Sequence, residues 1–261
     1  LETDFGFQDL SIAFSGGRGY HVHVRDDRVK SLDREQRREI VDYVRGNEVT
    51  LESLVRERAV GGRGRKTPTT RRTLPTDGGW SRRVVSHVRE LTDELLELDE
   101  ETALERLESY DGVGETKARA IMNVVESNTD AVRAGNVDVH PAFLPVVRGV
   151  IEETVREESS PIDEPVTTDT HRLIRLPGSL HGGSGLKVVP LEPNEIASFD
   201  PLTDAIPDTF RGHEIAVDVT AERTVELDGE DLSVAPGKVT VPEYAGIFLM
   251  ARGWAEKARE G

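Results

Sequence analysis

The chain has 261 residues, a formal net charge of −16 and no cysteine. This length allows one large domain or two smaller ones, and the lack of cysteine excludes disulfides and thiolate metal sites in this segment. No apolar stretch approaches the roughly 20 residues of a membrane span, and the residues from Leu1 do not resemble a signal peptide. We therefore expect a cytoplasmic protein with no membrane partner.

Two strands joined by a glycine turn are predicted between Phe7 and Val24, because apolar residues alternate weakly on both sides of Ser15-Gly-Gly-Arg-Gly19. A helix is predicted from Ser31, where a capping sequence precedes spaced apolar residues. Residues 60–79 are rich in Gly, Arg, Thr and Pro without periodicity. They predict a flexible connection.

From Trp80 to about Ser159 the apolar spacing is helical, and it predicts several helices. Beyond Pro161 the pattern predicts strands, which are Leu173–Leu176, Lys187–Leu191, Glu214–Val219, Arg223–Leu227 and Leu232–Val241. An amphipathic helix follows Val241. The prediction is an α+β fold whose sheet combines strands from both ends of the chain around an inserted helical block. We expect the first part of this domain at 1–59, the flexible connection at 60–79, the helical insertion at 80–159 and the second part of the domain at 160–261.

The acidic charge of the chain indicates the salt concentration in which the protein works. Acidic residues are spread along the chain, and arginine supplies most of the basic residues. This composition is typical of proteins from salt-loving microbes, where salt screens self-repulsion, although an ordinary acidic cytosolic protein is the alternative. Under the first interpretation the net charge says little about partners, and local arginine clusters say more.

The first candidate site is the glycine turn after residue 14. Glycines let backbone amides approach phosphate oxygens, while Ser15, Arg18 and His21 add a hydroxyl, a guanidinium and an imidazole. His21 and His23 should leave the same face of a strand. The alternative is a plain hairpin with an exposed arginine and two surface histidines.

The second candidate site lies after Asp163, in the segment Arg175-Leu-Pro-Gly-Ser-Leu-His181. Pro177 and Gly178 predict a turn that holds Arg175 and His181 close together. Two cations placed in this way suit the charge of a departing pyrophosphate. The alternative is a turn at the edge of the core with an incidental histidine.

Both segments resemble nucleotide-binding motifs of the small catalytic subunit of archaeal and eukaryotic DNA primases. Phe14-Ser-Gly-Gly-Arg-Gly-Tyr-His-Val-His-Val24 is similar to the family signature Ser-Gly-x-Arg-Gly-x-His. The resemblance implies that the incoming nucleotide is bound by five residues, which are Ser15, Arg18, His21, Arg175 and His181. Gly17 and Gly183 stand where some relatives have basic residues, which leaves this pocket less positive.

The resemblance also implies a metal site. The spacing from Asp163 to His181 is that between the family's third metal-binding aspartate and its histidine, so Asp163 is the expected catalytic ligand of Mg²⁺ or Mn²⁺. Asp169, which lies closer to His181 in the sequence, is the alternative candidate for the metal ligand. The family's other carboxylates form an Asp-x-Asp pair upstream of the serine-glycine motif, and this sequence has no such pair there. We therefore expect an N-terminally truncated chain that is inactive alone.

A third, weaker signal resembles a helix–hairpin–helix. Gly112-Val-Gly114 could present backbone amides to a DNA phosphate, and Lys117 and Arg119 would add cationic contacts. The alternative is a turn between packed helices.

As a whole, the resemblance implies the catalytic subunit of a DNA primase. Such a primosome component is a nucleotidyltransferase, a DNA-directed RNA polymerase that makes short RNA or DNA primers on single-stranded DNA from nucleoside triphosphates. The implied partner is the primase large subunit, in a heterodimer. The alternatives are a related primase-polymerase of repair or plasmid replication, and a non-catalytic DNA-binding remnant.

Overall fold

The computed structural model describes residues 1–60 and 69–258, and it divides the chain into two compact units. One unit comprises Leu1–Gly6 and Leu32–Thr170, and the other comprises Phe7–Ser31 and His171–Gly261. The described helices are α1 (Glu2–Phe5), α2 (Asp27–Lys30), α3 (Arg34–Arg45), α4 (Leu51–Leu54), α5 (Gly79–Glu97), α6 (Glu100–Glu108), α7 (Glu115–Ser127), α8 (Thr129–Arg133), α9 (Phe143–Glu158), α10 (Glu164–Thr168), α11 (Pro201–Asp204) and α12 (Glu243–Ala251). The described strands are β1 (Leu10–Phe14), β2 (Tyr20–Val24), β3 (Arg56–Val60), β4 (Thr69–Thr73), β5 (Val189–Leu191), β6 (Glu214–Val219), β7 (Arg223–Leu227), β8 (Glu230–Val234), β9 (Gly237–Pro242) and β10 (Ala255–Lys257).

The first unit is mainly helical, and α5 is its central helix. Val84, Val88, Leu91 and Leu95 recur at helical spacing and are all buried. They pack in one core with apolar residues of α6, α7, α8 and α9. The side chain of Asp33 caps α3 in a reciprocal capping box with Gln36, so this helix begins at Arg34.

The second unit is built from sheets whose strands come from both ends of the chain. β1 pairs with β2 in an antiparallel hairpin, in which Ile12 lies opposite Val22. On its other side β1 pairs with β5, where Ile12 lies opposite Leu191. The predicted α+β fold, with a sheet assembled from sequence-distant segments and a helical insertion, is therefore confirmed.

The rest of the second unit is a small antiparallel subdomain. The strand order β10-β6-β9 forms one sheet, and β7 pairs with β8 in a separate hairpin. α12 packs against β6, where Gly246 allows close approach because a side chain there would collide with Ile215. The buried face of α12 joins Phe14 and Leu186 in a core beneath the first sheet.

Several predicted elements differ from the structure. The strand predicted at Leu173–Leu176 is wrong: this segment has no regular structure, and Leu173 is 95% exposed. The strand predicted at Leu232–Val241 is two strands, β8 and β9, because Pro236 has no amide hydrogen to donate to a ladder.

The predicted flexible connection, 60–79, lies partly outside the described residues. Where it is described, it contains β4, which pairs with β3. Among the described helices, none is both long and apolar enough to span a membrane.

Candidate functional site

The turn between β1 and β2 is organised around Ser15. The Ser15 amide donates to the Gly19 carbonyl at 2.8 Å and closes the turn. The amides of Gly17 and Gly19 both donate to the Ser15 hydroxyl oxygen, each at 3.4 Å. Ser15 is buried. Its hydroxyl oxygen accepts hydrogen bonds from within the turn, and its hydroxyl proton can still be donated to another group.

A second turn lies at residues 181–186. The amide of His181 donates to the Leu186 carbonyl at 2.8 Å, and the amide of Gly183 donates to Nδ1 of His181 at 3.2 Å. Because Nδ1 accepts this bond, the proton of the neutral imidazole lies on Nε2. The neutral ring can therefore donate a hydrogen bond from Nε2.

The two turns are joined through glycine backbone. The buried Ser184 hydroxyl donates to the Gly16 carbonyl. A Cβ on Gly16 would lie 2.6 Å from Cβ of His181, and a Cβ on Gly17 would lie 3.2 Å from Nε2 of His181. The imidazole of His181 is thus packed against the Gly16–Gly17 backbone, and a side chain at Gly16 would collide with His181.

Two histidines project from one face of β2. The ring centroids of His21 and His23 are 6.0 Å apart, and Nδ1 of His21 and Nε2 of His23 are buried without a hydrogen-bond partner among the described residues. Burial lowers the pKa of both, with further contributions from His23 and Arg175 for His21, and from Arg25 for His23. Both rings are therefore biased toward the neutral form.

Cationic groups surround this pair of turns. Burial, followed by the charges of Arg175 and Arg252, lowers the pKa of His181. Arg175 acts on both His21 and His181, so the structure brings the two sequence motifs together. Arg18 is an exposed residue of the first turn. Within the described part of the chain, none of these three arginines forms an ion pair.

Asp163 belongs to the other, mainly helical unit. It precedes α10, and its exposed carboxylate has no ion pair or hydrogen bond in the described residues. The neighbouring Glu164 holds α10 against α3 through Arg38 at 2.7 Å and Arg45 at 3.7 Å. Asp169 lies at the other end of α10. The roles of both aspartates remain predictions.

The described residues contain no cluster of three or more side chains suited to hold a metal ion. Asp163 is a single candidate carboxylate, whereas two-ion nucleotidyl transfer needs several carboxylates converging on the ions. The described residues therefore do not fit a complete Mg²⁺ or Mn²⁺ centre by themselves.

The predicted helix–hairpin–helix corresponds to α6, α7 and the turn between them. Gly112 has a φ of 74°, and Gly114 precedes the first residue of α7. Lys117 donates to the Gly112 carbonyl at 2.6 Å, and Arg119 pairs with Glu100 at 2.6 Å and with Glu115 at 3.2 Å. Val113 and Ile121 are buried in the core, as the alternative interpretation expects. Both cations are thus engaged within the chain, and DNA contact here stays a prediction.

Comparisons with known proteins identify the family of the chain. The family model for the DNA primase small subunit matches residues 1–193. The chain belongs to the DNA primase small subunit family. It is 62% identical to the DNA primase small subunit PriS of Halobacterium salinarum, over all of this chain and 66% of that protein.

More distantly related primase small subunits are also similar to this chain. PriS of Haloarcula marismortui is 55% identical over the whole chain and 67% of its own length. PriS of Methanothrix thermoacetophila is 42% identical over 98% of the chain and 67% of its own length. The chain thus spans about two thirds of the length of these primase relatives, and the acidic composition accords with the haloarchaeal matches.

Two residues of the site were not predicted from the sequence. Ser184 joins the turns, and its only signal was its position in a glycine-rich stretch three residues after His181. Arg252 follows a helix far along the sequence from both motifs. No local pattern distinguishes it from other exposed arginines.

Proposed function

We propose that this chain forms the nucleotide-binding part of a cytoplasmic DNA primase catalytic subunit, with a nucleoside triphosphate as its substrate. The observation that carries the proposal is the packing of His181 against Gly16 and Gly17, with Arg175 acting on the same imidazole. Glycine backbone of the first turn and the cationic groups near His181 thus lie within a single unit. A polyphosphate is the ligand that suits this combination.

Each predicted residue has a distinct part in this proposal. Arg18 and Arg175 neutralise phosphate charge through their forked guanidinium groups. His181 donates from Nε2 to a phosphate oxygen, and His21 takes a phosphate contact from the neighbouring strand. Ser15 fixes the turn on which Arg18 lies, and its remaining proton is available to the ligand.

The proposed reaction is metal-dependent transfer of a nucleotide to a primer 3′-hydroxyl on a single-stranded DNA template, with pyrophosphate as the leaving group. Cations placed around the leaving group stabilise charge that develops in the transition state. Asp163 is the proposed ligand of Mg²⁺ or Mn²⁺ in this chain. The proposed partner is the primase large subunit.

We expect the 261-residue chain by itself to bind nucleotides without making primers. Mg²⁺ is held poorly unless several oxygen ligands are well placed, and Asp163 supplies one carboxylate. Primer synthesis by this chain alone, in Mg²⁺ or Mn²⁺, would show that the catalytic carboxylates have been misplaced.

The test of the proposed function is the binding of ATP to this chain by isothermal titration calorimetry. Arg18→Ala should weaken binding by about tenfold or more, as expected for the loss of charge-assisted hydrogen bonds. Arg18→Lys should also bind more weakly, because an ammonium cannot form the bidentate fork.

The matched control is Arg25→Ala. Arg25 is also exposed, but it follows β2 at the opposite end of the same hairpin. Its replacement should leave ATP binding within about twofold of wild type, since a distant exposed charge is screened by salt. Equal binding by wild type and both Arg18 variants would overturn the proposed phosphate role.

A further inference from the structure

We infer that Arg252 is a further phosphate-binding residue of this site, donating to the triphosphate beside His181. The inference rests on the proposed function, because it assigns Arg252 to the same nucleotide. It concerns a residue that lies outside both sequence motifs and beyond the part of the chain that the family model matches.

The first support is the way α12 is placed against the second turn. A Cβ on Gly185 would lie 2.5 Å from Cγ2 of Ile247, so this helix packs directly on the turn that begins at His181. Phe248 and Leu186 share one buried cluster. Arg252 follows one helical turn after Phe248, immediately beyond the end of the helix. The fold therefore carries Arg252 to the turn of His181.

The second support is how the guanidinium is held. Its Cζ lies 4.9 Å from the centroid of the Phe248 ring, a cation–π contact that positions the group without using its N–H donors. Two other arginines of this unit use those donors on carboxylates: Arg28 pairs with Asp26, and Arg211 pairs with Asp228. Arg252 has no ion pair among the described residues, although the chain carries 49 acidic residues.

The third support is the gathering of like charges. Arg175 and Arg252 both lower the pKa of His181, so both lie within electrostatic reach of one imidazole. Two guanidinium groups near a neutral ring repel one another unless an anion lies between them. A polyphosphate would reverse the sign of this interaction. Because a triphosphate carries more negative charge than a monophosphate, Arg252 should contribute more to binding the triphosphate.

The test compares Arg252→Gln with Arg223→Gln. Arg223 is also an arginine of this unit held over an aromatic ring, with its Cζ 5.4 Å from the centroid of Trp254, but it does not contribute to the pKa of His181. ATP binding is measured by calorimetry for both variants and the wild-type chain, with AMP as a second ligand. Thermal unfolding verifies that each variant is folded.

Arg252→Gln should weaken ATP binding by about tenfold and AMP binding by less, whereas Arg223→Gln should stay within about twofold of wild type. Arg252→Lys should be intermediate, because it keeps the charge but loses the fork. ATP binding by Arg252→Gln at the wild-type level would overturn the inference.

A second readout does not depend on nucleotide binding. The pKa of His181, followed by NMR in the free chain, should rise in Arg252→Gln because a neighbouring positive charge is removed. An unchanged pKa would overturn the inference even if the proposed function holds. Failure of the wild-type chain to bind ATP would overturn the proposed function. The inference about Arg252 would then fall as well, because it rests on that function.

Discussion

Gly16 and His181 approach so closely that a side-chain carbon on Gly16 would lie 2.6 Å from Cβ of His181 and 3.2 Å from the carbonyl oxygen of Leu186. Gly16 also has a φ of 78°, a conformation that residues with a side chain rarely adopt. The contact joins two segments that are far apart in the sequence. It is the point at which the candidate site is assembled.

Gly16→Ala should therefore separate the two turns. We expect a loss of about 2–4 kcal/mol of unfolding free energy, from strain at positive φ together with overpacking, and markedly weaker ATP binding. Gly19→Ala is the matched control, because no heavy atom lies within 4 Å of a Cβ there. Chemical denaturation of both variants measures the difference, and equal stability would contradict the close packing.

Nucleotide binding should be accompanied by proton uptake. In the free protein, burial and neighbouring cations lower the pKa of His21 and of His181 below 6.5. A bound polyphosphate favours the charged imidazole and raises both values. Affinity should consequently rise as the pH falls through the raised pKa values of the complex, and level off below the pKa values of the free protein.

Calorimetry in two buffers with different ionisation enthalpies measures this uptake. His181→Gln should reduce the number of protons taken up, and His21→Gln should do so as well. Because ATP itself titrates near neutral pH, the wild-type chain is the reference for both variants. Proton release on binding would contradict the proposed contacts.

The partly buried pair of Asp4 and Arg83 should stabilise the helical unit. The side chain of Asp4 is 6% exposed and that of Arg83 24%, and the Asp4 carboxylate lies 2.7 Å from Arg83 and accepts a hydrogen bond from Tyr43 at 3.1 Å. Burial raises the pKa of Asp4, but the hydrogen bonds from Arg83 and Tyr43 outweigh it, so the pKa is lowered overall. Asp4→Ala leaves Arg83 without this partner and should cost about 2–4 kcal/mol of stability.

Asp93 provides the control for Asp4, because its ion pair with Arg133 is exposed on both sides. Asp93→Ala should cost at most about 1 kcal/mol. Since the pKa of Asp4 is lowered in the folded state, its contribution is present above the unfolded pKa and is lost as the pH falls through the folded pKa. The difference between the two variants should therefore shrink in strong acid, which denaturation curves at several pH values would reveal.

Asp163, rather than Asp169, is the predicted metal ligand. The test replaces the matched two thirds of the Halobacterium salinarum subunit with this chain and measures primer synthesis across Mg²⁺ and Mn²⁺ titrations. Asp163→Asn keeps the size of the side chain but removes its charge, so synthesis should be abolished while the circular dichroism spectrum is unchanged. Asp169→Asn should be milder. The opposite result would reverse the assignment.

The sequence predicted the parts of the fold that local patterns determine. Alternation around a glycine turn correctly indicated the β1–β2 hairpin, and helical spacing indicated α5. A strand was wrongly predicted at Leu173–Leu176 because the apolar composition of this segment is typical of a strand. A strand also needs a hydrogen-bonded partner, and the described residues do not supply one here. Strand β4 was missed because Thr and Arg in sequence do not reveal a pairing with β3.

The residues of the candidate site also fall into two groups, those that sequence motifs predict and those that only tertiary packing reveals. Ser15, Arg18, His21, Arg175 and His181 lie within motifs, so their residue types and spacing were enough to name them. Arg252 could not be found in this way, because its place in the site comes from the packing of α12 on Gly185. A contact made by tertiary packing leaves no periodicity in the sequence.

The ion pair between Arg38 and Glu164 has a consequence for the order of folding. It lies near the points where the chain enters and leaves the helical unit, at Leu32 and Thr170. Pairing β1 with β5 in an otherwise unfolded chain would require closing a very long loop, and the entropy of that closure must be lost before the sheet gains any contacts. Once the helical unit is folded, its two ends are held together and the remaining closure is short. The sheet that carries the candidate site should therefore form last during synthesis, after the helices, and only when the strand Val189–Leu191 has been made.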